Sequence, residues 1–127
     1  MNLLLDTHVV LWWLAGDPRL RGPSREAIEA RENQVAISAA SVWEAAIKRA
    51  LGKLMFEPVE WRETANSQGF NELPVRTEHA WFASELPRHH DDPFDRMLIA
   101  QAIVEGLTVM TGDRMFERYS VPTLWVR

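Results

Sequence analysis

Four carboxylates stand at points where this sequence changes from one kind of segment to another. Asp6 closes the apolar run "NLLLD", Glu44 lies in "SVWE", Asp95 lies in "HHDDPFDRMLIAQA", and Asp113 follows "TVMTG". Each has a simple local reading. Asp6 precedes a helix starting at Thr7, and "SVWE" matches the S-x-x-E capping box. Asp92 and Pro93 suit the N-cap and first position of a helix, and Asp113 suits the cap of a short one. Capping contributes about 1 kcal/mol, whereas two carboxylates about 4 Å apart at an effective dielectric near 20 repel by about 4 kcal/mol. If the four converge, a bound divalent cation is what makes the arrangement tolerable. All-oxygen donors suit Mg²⁺ or Mn²⁺, and carboxylate-held Mg²⁺ serves phosphoryl transfer or phosphodiester hydrolysis.

Helical phase favours convergence. At about 100° per residue, Leu98, Ile99, Ala102 and Ile103 fall on either side of Asp95, so the acid sits in the middle of an apolar stripe. Met97, Ala100 and Val104 make the opposite side apolar too, which predicts burial on both faces. Ile47 and Leu51 place Glu44 at the margin of its own helix's stripe. A solvated acid has no reason to occupy such positions.

The elements that must position these groups follow from periodicity and punctuation. Strands are expected at 2–6, 34–38, 70–75, 107–111 and 123–126. Helices are expected from Thr7 to Gly16, Pro23 to about Glu32, "AASVWEAAIKRALG" up to Gly52, Pro58 to about Gln68, 77–86 with Thr77 as cap, Pro93 to Glu105, and a short one near Asp113 to Tyr119. Strands alternating with helices predict one α/β domain over 1–127, with a mostly parallel sheet of four or five strands between helical layers. In such sheets sites form at the carboxyl ends of the strands. Asp6, Glu44 and Asp113 belong to that edge, and the helix opened by Asp95 starts there as well.

Composition narrows the remaining choices. The chain has 127 residues, 46% apolar and 25% charged, with no cysteine, which removes disulfides and thiolate metal sites. The run Val9 to Ala15 is too short to span a bilayer and no signal-peptide pattern precedes it, so a cytoplasmic protein without membrane attachment is expected. A net charge of −4 excludes a broadly basic nucleic-acid surface but not a local one; of the 14 basic residues only Lys48 and Lys53 are lysine, and arginine is the better fork for phosphate. Gly52–Lys53 is no phosphate-binding loop, because position 47 is Ile where that motif needs glycine. His8, His79 and His89 show no ligand-like spacing around His90–Asp91. The six tryptophans read first as core or interface anchors and second as surfaces for base stacking.

Taken together, "LLLDTHVVLWWL", "ISAASVWEAAIK", "HHDDPFDRMLIAQA" and "TVMTGD" resemble, in order and spacing, the acidic motifs of PIN-domain nucleases, and most of all the VapC-type toxins of bacterial toxin–antitoxin pairs. The resemblance spans nearly the whole chain. It implies a three-layer α/β/α sandwich, a metal-dependent endoribonuclease using Mg²⁺ or Mn²⁺, and an acidic quartet of Asp6, Glu44, Asp95 and Asp113. Asp6 and Asp95 would be the principal metal ligands and Asp113 a direct or water-mediated third. Glu44 would bind a second ion or orient the attacking water. Thr111 matches the hydroxyl of the family's T-x-D motif, and Asp92 is a cap or an outer support. Lys48 and Arg96 are candidates for RNA phosphates or, equally, for ion pairs with neighbouring acids. The resemblance further implies an RNA substrate, a small cognate antitoxin protein and a homodimer, with the back of the 93–105 helix and the neighbourhood of Trp12 and Trp13 as compatible contact surfaces. Two other functions fit the residues: an RNA- or antitoxin-binding module that no longer cuts, and a Mg²⁺-dependent phosphatase for a small molecule.

Overall fold

Leu3, Leu4 and Leu5 are almost wholly buried, as expected of a strand covered on both faces. They form β1 (Asn2–Leu5), the central strand of a five-stranded, entirely parallel sheet of order β3-β2-β1-β4-β5. The other strands are β2 (Gln34–Ser38), β3 (Asn71–Leu73), β4 (Thr108–Thr111) and β5 (Thr123–Trp125). A computed structural model describes residues 1–126; Arg127, the last residue of the expected domain, lies outside them. Leu5 is in register with Ile37 on one side and Met110 on the other, so β1 is hydrogen-bonded along both edges.

Side-chain alternation along the strands divides the core into two layers. Leu3 and Leu5, with Val35, Ile37 and Met110, face helices α1 (Thr7–Ala15), α2 (Pro23–Glu29), α3 (Ala39–Ala50) and α4 (Pro58–Gln68), meeting Val10, Ile28, Ala45 and Trp61. Leu4 and Val109 face the opposite way onto α6 (Pro93–Glu105), where Leu98, Ile99 and Ala102 pack with Phe116 and Tyr119. α5 (Thr77–Glu85) lies against α6, and a 3₁₀ turn (Arg114–Arg118) follows β4. This is the expected three-layer sandwich. No helix among the described residues is long and apolar enough to cross a membrane.

The connectivity locates the functional edge. From β1 the chain moves outward to β2 and β3, then returns across β1 to β4 and β5. The connections leaving β1 and β4 therefore run to opposite sides from the carboxyl ends of those two neighbouring strands, which opens a crevice there.

Several local expectations are corrected. The cap of α3 is Ser38, whose Oγ accepts from Ala40 N–H at 3.0 Å, so "SVWE" is not a capping box. Ser41 lies inside the helix, where its Oγ accepts from the Thr7 hydroxyl at 2.9 Å. α5 is capped by Arg76 rather than Thr77, with His79 Nδ1 accepting from Arg76 N–H. On α6, Ala100 is buried but Val104 is 38% exposed, so burial on the second face fades toward the helix's end. Trp13 is buried against Phe70, while Trp12 lies half-buried between His8 and Arg19, so of that pair only Trp12 reaches the surface.

Candidate active site

Asp6 is the last residue before α1, and one of its oxygens does cap that helix: Oδ1 accepts from Thr7 N–H at 2.7 Å. Its other oxygen faces across the crevice. Oδ2 accepts from the Thr111 hydroxyl at 2.6 Å, and His8 Nδ1 lies 3.2 Å away. Asp113 repeats the pattern, with Oδ1 accepting from Met115 N–H while its own N–H donates to Thr111 Oγ1. Capping and site-building are thus not alternatives for these acids. A carboxylate at a helix start has two oxygens, and only one is needed for the cap.

Asp92 is the N-cap of α6, its Oδ1 accepting from Phe94 and Asp95 N–H. With Asp92 in that role, Asp95 is free to point into the crevice, 9% exposed, one turn above Leu98 and Ile99. His90 Nε2–H donates to Asp95 Oδ2 at 2.7 Å. Donor atoms of His90, Asp95 and Asp113 all lie within 4.8 Å of one another. Asp6 is close enough to Asp95 to raise its carboxyl, and Glu44 close enough to Asp6 to do the same there. The crevice therefore brings Asp6, Glu44, Asp95 and Asp113 together.

The electrostatics show what the cluster lacks. Burial pushes the Asp95 carboxyl up to about 7, with the charge of Asp6 adding to the rise and the His90 hydrogen bond opposing it. Burial likewise raises Asp6, against the pull of His8, Thr111 and Thr7, with Glu44 reinforcing the rise. Glu44 is 7% exposed; its Oε2 accepts from Lys48 Nζ at 3.1 Å, while Oε1 is buried with no hydrogen-bond partner. An orphaned carboxylate oxygen among acids strained toward protonation is a deficit of positive charge. An acidic cluster with one imidazole, all hard donors, fits a divalent cation such as Mg²⁺ or Mn²⁺.

Two groups here are not expected from the sequence. His90 and His8 both reach the acids, although neither has ligand-like spacing. His8 sits in the first turn of α1, two residues past Asp6, and its Nε2 accepts from Gly112 N–H at 3.3 Å, which leaves the Nδ1 proton directed at Asp6. The one signal for His8 is its position two residues beyond a strand-ending acid. His90 has none, since a loop brings it there.

Arg96 is turned away from the crevice. One terminal nitrogen donates to Ala83 O and Leu86 O, and the other to Pro87 O, with longer contacts to His90 O and the Tyr119 hydroxyl. Its partners are carbonyls, neither phosphates nor the acids weighed as the alternative. Lys48 does take the ion-pair option with Glu44, and its side chain stays about half exposed.

Thr111 ties the two halves of the site together by donating to Asp6 and accepting from Asp113 N–H, while being wholly buried. Replacing it by Val leaves both partners short of a bond and is expected to destabilise the protein by about 2 kcal/mol. The check is urea unfolding: a lower midpoint with unchanged slope for Thr111→Val, largely restored in Thr111→Ser.

Comparison with known proteins completes the description. The PIN domain family matches residues 3–122. Ribonuclease VapC22 of Mycobacterium tuberculosis is 30% identical over 130 residues, covering 98% of both chains. The crystal structure of VapBC2 from Rickettsia felis, bound to a DNA fragment from their promoter, aligns over 100% of both chains at 16% identity with a TM-score of 0.75. VapBC-5 from Mycobacterium tuberculosis, a member of the VapBC family of toxin–antitoxin systems, aligns over 99% of this chain and 98% of its own at 19% identity and a TM-score of 0.61. At such identities the structural likeness carries the fold; the family rests on the first two matches.

Proposed function

The chain belongs to the PIN-domain family, and from that premise we propose that it is a VapC-type toxin, an endoribonuclease that hydrolyses RNA phosphodiester bonds with Mg²⁺ or Mn²⁺. The observation that carries this reading is the convergence of four acids around the unpartnered Glu44 Oε1 at the carboxyl edge of β1 and β4. Asp6, Asp95 and Asp113 would hold the cation, with His90 and Thr111 orienting the two aspartates they touch. A bound Mg²⁺ or Mn²⁺ supplies the positive charge that neutralises a scissile phosphate and acidifies a nearby water.

The remaining steps fall to the protein's own groups. Glu44 offers Oε1 as acceptor for the proton of the attacking water, and Lys48 fixes the carboxylate through Oε2. The half-exposed Lys48 side chain would offer its remaining N–H donors to an incoming phosphate. A small-molecule phosphatase would need a deep pocket at the acids. A cavity of about 280 Å³ does exist, but it is lined by Val42, Phe56, Trp61 and Phe70, between α3 and α4, and none of the four acids lines it.

As a VapC-type toxin the chain would act in the cytoplasm as a homodimer, inhibited by a small cognate antitoxin. The family kinship and the VapBC assemblies that share its fold support that reading.

The test is cleavage of a mixed RNA pool. With Mn²⁺, wild-type protein should cut; EDTA should abolish cutting, and Asp6→Asn should reduce it by about a thousandfold. Cleavage indifferent to EDTA would overturn the proposal.

A further inference from the structure

Trp43 immediately precedes Glu44 on α3, yet its indole is 64% exposed. Phe94 immediately precedes Asp95 at the start of α6. The two rings meet edge to face, with centroids 5.4 Å apart and planes inclined at 69°. One aromatic pair therefore bridges the two helices that deliver Glu44 and Asp95, each ring carried by the residue before one of those acids. The edge contact fixes the orientation of the Trp43 ring while leaving its surface open to solvent.

We propose that Trp43, held by Phe94, is the stacking platform for an unpaired base of the RNA substrate next to the scissile phosphate. This rests on the nuclease reading above and adds to it a residue that positions the substrate by gripping one of its bases. Three features select a nucleobase as the occupant. The ring belongs to the residue before Glu44 and touches the ring of the residue before Asp95, the two acids proposed to face the reacting phosphate. Lys48, on the same helix one turn beyond Glu44, supplies a partly exposed cation for the adjoining phosphate. The surrounding edge is otherwise acidic, and it repels a bare phosphate backbone unless the substrate is gripped by its bases. Stacking does this without charge and without discriminating strongly among bases.

The experiment uses the whole 127-residue chain and a labelled single-stranded oligoribonucleotide spanning a cleavage site mapped from the RNA pool. Trp43→Ala should raise KM by about 5- to 100-fold with kcat changed much less, and Trp43→Tyr should recover most of the loss. An abasic nucleotide placed in turn along the oligoribonucleotide should cost wild-type protein a similar factor at one position beside the cut. At that position it should cost Trp43→Ala almost nothing more. Equal KM values for wild type and Trp43→Ala overturn the proposal while leaving the nuclease reading intact. So does a result in which Trp43→Ala alters only self-association in sedimentation, which would assign the indole to a protein contact. Absence of any Mn²⁺-dependent cleavage by wild type overturns the nuclease reading, and this inference with it.

Discussion

Asp95→Asn should abolish Mn²⁺-dependent RNA cleavage and at the same time make the metal-free protein more stable. The first effect follows from loss of a proposed metal ligand in the acidic cluster, and a drop of about a thousandfold or more is expected. The second follows from the direction in which the carboxyl is displaced. Asp95 is pushed up to about 7, first by burial and then by Asp6. A carboxyl whose folded-state value exceeds its unfolded value binds protons more tightly when folded. Its penalty is therefore absent below about pH 4, grows as pH rises, and is complete above about pH 7. At pH 8 that penalty is on the order of 3 kcal/mol, since every tenfold change in proton affinity corresponds to about 1.4 kcal/mol and solvent at the crevice screens part of the total. Asparagine removes the charge and keeps the shape.

Thermal unfolding in EDTA at pH 5 and pH 8 separates the possibilities. Wild type should lose stability between the two, and Asp95→Asn should lose much less, melting several degrees higher than wild type at pH 8. Adding Mn²⁺ should raise the wild-type midpoint and leave the variant nearly unchanged. A variant no more stable than wild type in EDTA at pH 8 would show that the cluster is not short of positive charge.

Arg96→Ala should be the most destabilising change near the site, by about 3 to 5 kcal/mol, without removing any group that faces the substrate. The Arg96 guanidinium holds Ala83 O, Leu86 O and Pro87 O, fastening the end of α5 and the segment after it onto α6. That segment carries His90, so the hydrogen bond to Asp95 depends on the clamp. Bonds from a charged donor contribute about 1.5–3 kcal/mol each when lost with their partners buried, although losses within one group do not add. Arg96→Lys should recover little, because an ammonium cannot span carbonyls arranged for a planar fork. Chemical denaturation of both variants checks this. A phosphate-contacting arginine would behave oppositely, with unchanged stability and a weaker salt dependence of RNA binding.

Much of this fold is legible in the sequence because the strands are buried on both faces. "NLLL" and "QVAIS" are apolar almost without interruption, and Gly106, at φ +70°, ends α6 where only glycine enters the left-handed region freely. The acids are legible too, since Asp95 occupies an apolar stripe that solvation does not explain. What the sequence hides is whatever depends on a loop's path. His90 reaches Asp95 because the preceding chain is strapped down by Arg96, and no spacing rule encodes that. Ser41 resembles a cap because S-x-x-E is a local pattern, but Ser38 takes the role at the strand's end, and Ser41 is claimed by Thr7 from another helix. Trp12 and Trp13 are adjacent in sequence but separated by about 100° around α1, so one is buried while the other is only half covered.

The pairing of β1 with β4 bears on how the protein is made. Asp6 is joined to Thr111 across 105 positions of sequence, and β4 is the fourth strand to be synthesised although it lies beside the first. Until Thr111 and Asp113 have left the ribosome, Asp6 has no hydroxyl to orient it, and the carboxylates contributed by α6 and β4 have no β1 edge to face. A growing chain thus carries most of its acids with no assembled centre. β4 and β5, made last, supply the outer half of the sheet and with it the far side of the site. On the proposed site, truncation anywhere before Asp113 is expected to yield an inert polypeptide, since β4 and the acid that follows it are missing.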